Sequence, residues 1–577
     1  MSTSRLLPHS RWITAGLLLS ALALSARSAE PPVTEGKTIE LPTMTVQEAA
    51  DLPKLESWRY TRIPGFEVLS NGSDKPVKKL LADFQKFQQA VKLLWPTPVR
   101  PLAASSLILC GADSKFDEFA GRSTGKTEGL IPSLFIRNRE QIAIVVDLQT
   151  QQISISDPTA LINSGSASAE YQVDHYRQLY REYIHFLLSQ SEVRPAAWLE
   201  EGLAQIIMDI DLTDKTLIYG KIDTYRGEAT GGSPLEADEN DATVADATVG
   251  EQPFNVVLQH RPFIPFDQFL AITHESPEAQ SPLGNNLWAK QAYAFVHFCL
   301  FGEDLRHKEA LITFVGRLSR EPLSEALFKD CFKVGYAGMA KQLRAYLRYT
   351  KHKYQQYDLK STDRVTAASI ELAEADATQV GLIKGDALRL AGQNGKALTE
   401  YRMAYRRGSR DPAVLSGLAA VDNDVDSARK WLDAAIKSGT NRPSAYVAQA
   451  KMRLADFKSD PGPDGKLTTV QVSSILTPLF KARSFPPPLP ETYETIAETW
   501  ALSSTPPKPE HLGVLDEGAR RFPRNSALIL KAAELNQLAG ASANARALAQ
   551  LGLRFTADTA IRAQFEQVLA ANPPPAK

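Results

Sequence analysis

The spacing of apolar positions along this chain changes character several times, and each change predicts a different element. Pro64 and Gly65 read as a turn leading into a strand at Phe66 to Ser70. Leu80, Leu81, Phe84, Phe87 and Val91 then recur at i, i+3 and i+4 spacing, which marks an amphipathic helix. Ser106 to Cys110 is a short apolar strand, and Lys115 to Phe119 begins another helix. Ile142 to Leu148 is rich in β-branched residues and reads as a buried strand. Between Gln178 and Ser189 the apolar residues Leu179, Tyr180, Tyr183, Ile184, Leu187 and Leu188 cover most of a helix. Gln178, Arg181, Glu182, His185 and Ser189 share the remaining stripe. So narrow a polar stripe predicts a cleft wall rather than an open face. Pro195 suits the first turn of a following helix, with Trp198, Leu199, Leu203, Ile206 and Ile207 as its core side. The short break between the two makes them antiparallel neighbours, and the small residues Ala197, Gly202 and Ala204 around Glu201 allow another helix to approach.

Helical spacing resumes at Phe266 and runs through Trp288–Phe301, Glu309–Leu318, Leu323–Cys331 and Met339–Tyr354. From about Ser361 the chain turns alanine-rich and becomes helix pairs, with units opening at Asp411, Arg442 and Pro523. This stretch resembles degenerate tetratricopeptide-type repeats, whose period is ~34 residues, and it predicts an α-solenoid. Residues 227–252 hold seven acidic residues and no Lys or Arg. They read as a solvated insertion, with a lid over the preceding helices as the other possibility.

Composition narrows the function classes without choosing among them. Over 577 residues, 43% hydrophobic and 23% charged is ordinary globular protein, too long for one core. A formal net charge of −1 gives no general pull toward nucleic acid. Arg5 and Arg11 precede the apolar run Ile13 to Ser25, and Ala26-Arg27-Ser28 fits a small-x-small cleavage site, so residues 1–29 read as an export signal. The alternative is a membrane anchor, but the run falls short of the ~20 residues that span a bilayer. The mature form is expected to lack a membrane span and to be periplasmic or extracellular. Residues 30–57 read as a linker. Cys110, Cys299 and Cys331 all sit in apolar contexts and are expected as small buried hydrophobes, with one bridge left open.

The chemistry concentrates in residues 181–204. Arg181-Glu182-Tyr183-Ile184-His185 is followed by Trp198-Leu199-Glu200-Glu201-Gly202-Leu203-Ala204. A zinc peptidase of the H-E-x-x-H type holds its metal between two histidines one helical turn apart, beside a glutamate that polarises water. Here Arg181 stands at the first histidine, and a guanidinium offers no lone pair to a metal. His175 is ten positions from His185 on the same helix, ~15 Å away, and is too far to share one ion. His260, His274, His297 and His307 have no place fixed by the sequence, although His297, among Phe295, Val296 and Phe298, reads as a hydrogen-bonded core histidine. No G-x-S-x-G elbow is present, and Gly121 to Lys126 lacks the spacing of a phosphate-binding loop.

Together with Ala289 to His297, these motifs resemble the peptidase-MA-like gluzincin domains that bacteria often fuse to tetratricopeptide repeats. The resemblance implies an α+β gluzincin-like (zincin) domain over 58–357, followed by an all-α tetratricopeptide-like solenoid over 361–577. It also implies Glu182 as general base if the protein is active, and His185 and Glu201 as vestigial metal ligands, with Arg181 replacing the lost one. The expected function is that of an exported, catalytically degenerate peptidase-like protein that binds proteins or peptides through its helical repeats and needs no cofactor. The alternatives are an active zinc peptidase with an unusual ligand set and a repeat-based assembly factor. Arg181, one turn from His185, is expected to pair with Glu201 across the helix junction, and with Glu182.

Overall fold

A computed structural model describes residues 56–94, 104–111, 115–120, 133–149, 152–155, 169–172, 175–191, 194–213, 215–222, 254, 258, 261–281, 284, 286–302, 306–349, 351–360, 369–462, 464–556 and 558–573. The export signal, residues 30–55 of the linker, the acidic insertion at 227–252, Gly121 to Lys126 and His260 lie outside them. The first part of the chain builds β1 (Arg59–Ile63), β2 (Phe66–Ser70), α1 (Asp74–Leu94), β3 (Ala104–Cys110), α2 (Phe116–Ala120), β4 (Ser133–Arg137) and β5 (Gln141–Asp147). Next come β6 (Gln152–Ile155), β7 (Ala169–Gln172), α3 (His175–Ser189), α4 (Ala197–Met208), β8 (Asp211–Leu212) and β9 (Thr216–Tyr219). Helices α5 (Phe266–Ala271), α6 (Leu287–Phe301), α7 (Arg306–Leu318), α8 (Glu325–Phe332) and α9 (Tyr336–Tyr346) precede β10 (Gln355–Asp358) and β11 (Ala373–Glu374).

Six of these strands form one mixed sheet in the order β11-β1-β2-β3-β5-β4. Strands β2, β3 and β5 run parallel, while β4 pairs antiparallel with β5, Phe135 opposite Ile144, and forms an edge. Strand pairing continues past the expected boundary at 357/361. β10 pairs with β9, and β11 pairs with β1, Tyr60 opposite Ala373. The six-stranded sheet therefore takes in residues as far as Glu374. A two-residue strand has too little pattern to be visible in the sequence.

Strands β3 and β5 are buried on both faces, which explains their continuous apolar runs. Leu107, Leu109, Ile144 and Val146 face a core shared with Phe84 of α1, Tyr183 of α3 and Trp198 of α4. Ile108, Cys110, Ala143 and Val145 point the other way. They pack with α2 and with Val380, Ile383, Tyr401 and Trp431 of the C-terminal helices. One sheet thus serves two cores, with alternate residues assigned to each.

The C-terminal region is a helical-repeat stack. Its helices are α10 (Ala377–Leu390), α11 (Asn394–Arg406), α12 (Pro412–Val421), α13 (Val425–Lys437), α14 (Pro443–Ser459) and α15 (Thr469–Arg483), continuing with α16 (Pro490–Ala501), α17 (Gly513–Arg521), α18 (Ser526–Leu538), α19 (Ser542–Phe555) and α20 (Thr559–Ala571). Helix starts are capped as the sequence favours: Asp376 and Thr468 form reciprocal capping boxes with Gln379 and Gln471. No helix among the described residues is long and apolar enough to cross a membrane. Cys110 and Cys299 are buried, Cys331 is half-buried, and all three are free thiols.

Helix α6 lies directly against α4 at Gly202. A Cβ there would lie 2.5 Å from Val296 Cγ2 and 2.7 Å from the Ala292 carbonyl. The carbonyl is helix backbone and cannot swing aside. Gly202→Ala is therefore expected to destabilise the fold by about 1–3 kcal/mol, as overpacking does, read as a lowered urea midpoint with an unchanged slope.

Candidate functional site

Helix α3 carries Arg181, Glu182 and His185 on one stripe, and all three are buried. Helix α4 brings Glu200, Glu201 and Gln205 against them, also buried. The polar stripe on an otherwise apolar helix does line a cleft, but a closed network of charge fills its floor.

Glu201 is saturated with donors. Arg181 grips it side-on, Nε to Oε1 at 3.2 Å and Nη2 to Oε2 at 2.7 Å. Gln205 Nε2 donates to Oε1 at 2.7 Å, and His185 Nε2 lies 3.2 Å from Oε2. Each carboxylate oxygen thus meets two donors, which uses its lone-pair capacity. Glu200 is held in the same way: by Arg194 at 2.6 and 2.7 Å, by His185 Nδ1 at 2.8 Å and by His274 Nε2 at 3.1 Å. Arg181 also donates to Glu182 at 3.3 Å, and Ser133 of β4 donates to the same carboxylate at 3.1 Å.

His185 is the bridge between the two glutamates. Its ring nitrogens both face carboxylate oxygens, so both donate and the ring is an imidazolium. Burial alone would push its pKa down, but the hydrogen bonds to Glu200 and Glu201 outweigh that and lift it to about 9. Burial likewise opposes ionisation of Glu201, yet the Arg181 charge and the His185 bond hold its carboxyl far below the ordinary range. Glu200 is held down against burial by His185, His274 and Arg194.

Two backbone carbonyls also accept from the network. Arg181 Nη2 reaches the Ser281 carbonyl at 3.3 Å, and Gln205 Nε2 reaches the Gly284 carbonyl at 2.6 Å. Gly284 has φ of 61°, and a Cβ there would stand 2.5 Å from Glu201 Oε1 and 2.8 Å from Arg181 Nε. Only glycine lets the backbone come this close.

These residues do not fit a catalytic zinc ion. Such an ion takes three lone-pair donors and a water. Arg181 has no lone pair to give, His185 has spent both nitrogens as donors, and the oxygens of Glu201 are occupied. Glu182, the residue in the general-base position, faces Arg181 and Ser133.

Above this floor lies a cleft of about 920 Å³. One wall is β4 and the turn after it. The other is the repeat stack: Ser444, Val447, Ala448 and Lys451 of α14, with Leu489 and Glu491 at the start of α16. Asn138 Oδ1 accepts from the backbone of Glu140 and Gln141 and shapes the turn. Glu140 then reaches across to accept the Ser444 N–H at 3.0 Å and its hydroxyl, an anion on a helix N-terminus. Arg389 of α10 donates to Gln141.

Of the histidines that the sequence leaves unplaced, His274 joins the site. His297 is a core residue, bonded to Tyr346 Oη at 2.9 Å and to the Gly220 carbonyl at 2.7 Å. His307 is buried against Phe298. Sequence reasoning missed Glu200, Arg194, Gln205, Ser133, His274 and Gly284. Gln205 had a signal, lying one turn after Glu201, and Glu200 stands beside it. The others arrive from distant segments.

Removing the central cation leaves buried anions. Arg181→Ala is expected to cost about 3–5 kcal/mol, with much of the loss recovered in Arg181→Met combined with Glu201→Gln, both read by urea unfolding. The pH dependence follows from the signs. The pKa of His185 is raised from 6.5 to about 9, so its contribution is full below 6.5 and fades as pH rises through about 9. Glu200 and Glu201 are depressed, so theirs is present above 4.5 and fades as pH falls. Urea midpoints of the wild type should decline from pH 6.5 to 9, and His185→Gln should flatten that decline.

No protein-family model matches the chain, and no curated protein matches it. Among solved structures, it is similar to YrrB, a tetratricopeptide-repeat protein described as having an unusual peptide-binding site. That match has 14% identity over 33% of this chain and 92% of the other, with a TM-score of 0.24. A thermophilic tetratricopeptide-repeat protein of Thermus thermophilus matches at 18% identity over 33% of this chain and 98% of its own, with a TM-score of 0.22. At those scores the likeness carries no weight, and the helical-repeat architecture rests on the helix pairs described above.

Proposed function

We propose that this chain is an exported, non-catalytic relative of the gluzincin peptidases that captures extended segments of proteins or peptides in the cleft between its sheet and its helical repeats. The observation that carries this reading is the Arg181–Glu201 grip. It stands where an active relative needs a metal ligand, and it links α3 to α4 by charge-assisted bonds instead. The motif resemblance in residues 181–204 supports the peptidase-like ancestry, as does an edge strand set beside the two motif helices.

The cleft supports binding without chemistry. Strand β4 has one edge in the sheet and the other toward the cleft, a place where an extended segment adds main-chain hydrogen bonds. Val447, Ala448 and Leu489 offer apolar contact from the opposite wall. Export rests on the N-terminal pattern of basic, apolar and small residues.

The test is metal content together with peptide capture. Protein purified without a metal-affinity tag is expected to hold substoichiometric zinc and to bind members of an unstructured peptide library with Kd on the order of micromolar, measured by fluorescence anisotropy. Mass spectrometry of the same mixtures should show the peptides intact. One zinc per chain with chelator-sensitive cleavage would overturn the proposal in favour of an active peptidase.

A further inference from the structure

A second cavity, of about 600 Å³, adjoins the cleft, and the two share Arg137, Asn138 and Arg139 at the end of β4 and in its turn. Its lining is strongly one-signed. Arg137, Arg139, Arg483 and Arg521 contribute to it, with Phe485 and Phe522, and no acidic residue lines it among the described residues. Arg483 and Arg521 are both held by Glu517, each with a contact of 2.8 Å. The other two guanidiniums are not gripped in this way. Arg139 lies over the Phe522 ring at 5.3 Å, and neither Arg137 nor Arg139 has a hydrogen-bond or ion-pair partner in its side chain among the described residues.

Arg137 is the unusual member. It is half-buried at the junction of the two cavities, while the nearby carboxylate of Glu200 is already filled by Arg194, His185 and His274. Burial and the neighbouring Arg194 pull its pKa down to about 10 against the opposing charges of Glu200 and Glu275, so it remains charged at neutral pH, with no carboxylate in salt-bridge contact among the described residues. A desolvated guanidinium with a free planar fork is complementary to a carboxylate, which it binds through two parallel hydrogen bonds.

We infer that Arg137, supported by Arg139, is a carboxylate anchor that gives the cleft a preference for acidic peptide segments. This rests on the cleft being a peptide-binding site. The carboxylate comes either from an Asp or Glu side chain or from a peptide C-terminus. Apolar neighbours of that group would lie against Phe485 and Phe522 on one side and Val447 and Leu489 on the other.

The experiment uses the full chain and labelled peptides of one apolar scaffold, with a central Glu or Gln and a free-acid or amidated end. Anisotropy should show tighter binding wherever a carboxylate is present. Preference for Glu assigns the side chain, and preference for the free acid assigns the terminus. Arg137→Gln should weaken the acidic peptide about ten- to hundredfold, the worth of a charge-assisted bond, and leave the neutral peptide and the Tm unchanged. Arg137→Lys, which keeps the charge without the fork, should fall between. Equal binding of acidic and neutral peptides would overturn the anchor and leave the cleft reading standing. An unaltered carboxylate preference in Arg137→Gln would overturn the assignment to Arg137. If no peptide binds the wild type, the cleft reading fails and the anchor with it.

Discussion

Strands β3 and β5 cannot leave either face to solvent, because every residue along Leu107–Cys110 and Ile142–Val146 is buried and nearly all are apolar. Their two faces need two covers. Helices α1, α3 and α4 supply one, and α10 to α13 supply the other. That requirement fixes the repeat stack against the sheet, and the cleft is its geometric consequence. The edge strand β4, the motif helices and the start of α14 meet because the sheet is sandwiched between them. Glu140 completes the join by accepting from the first turn of α14.

Within that frame, the charged floor solves a problem that burial creates. Three glutamates under the cleft need compensation, since an uncompensated buried charge is costly. Arg181, His185 and Arg194 supply it here, with Gln205, Ser133 and His274 filling the remaining lone pairs. The resulting network locks α3 to α4, and ties Ser281 to the first and Gly284 to the second. Within it, His185 and Glu201 are both already engaged as hydrogen-bond partners.

The motif helices were legible because helical period and side-chain chemistry coincide in one short stretch. Arg181, Glu182 and His185 fall on one face by spacing alone, and the short break to α4 brings Glu201 to Arg181. The strands at Phe66, Ser106 and Ile142 were legible as apolar runs. Strand β4, only five residues long, was not read from the sequence, nor was β11, whose two residues carry no period. Glu200 looked like a neighbour of the motif and proved to be its second anion.

What the sequence determined by itself was local: which segments are helical, which faces are apolar, and that Arg181, Glu182 and His185 share one stripe of a helix. The tertiary structure decided what those faces meet. His274 and Gly284 reach the site from 70 or more positions away, through loops with no periodic signal. The saturation of Glu200 and Glu201 depends on distances of a few tenths of an ångström between such segments. Two cores on one sheet, and the cleft between them, exist only once the repeats have packed, because alternation along a strand shows that both faces are buried without naming what buries them.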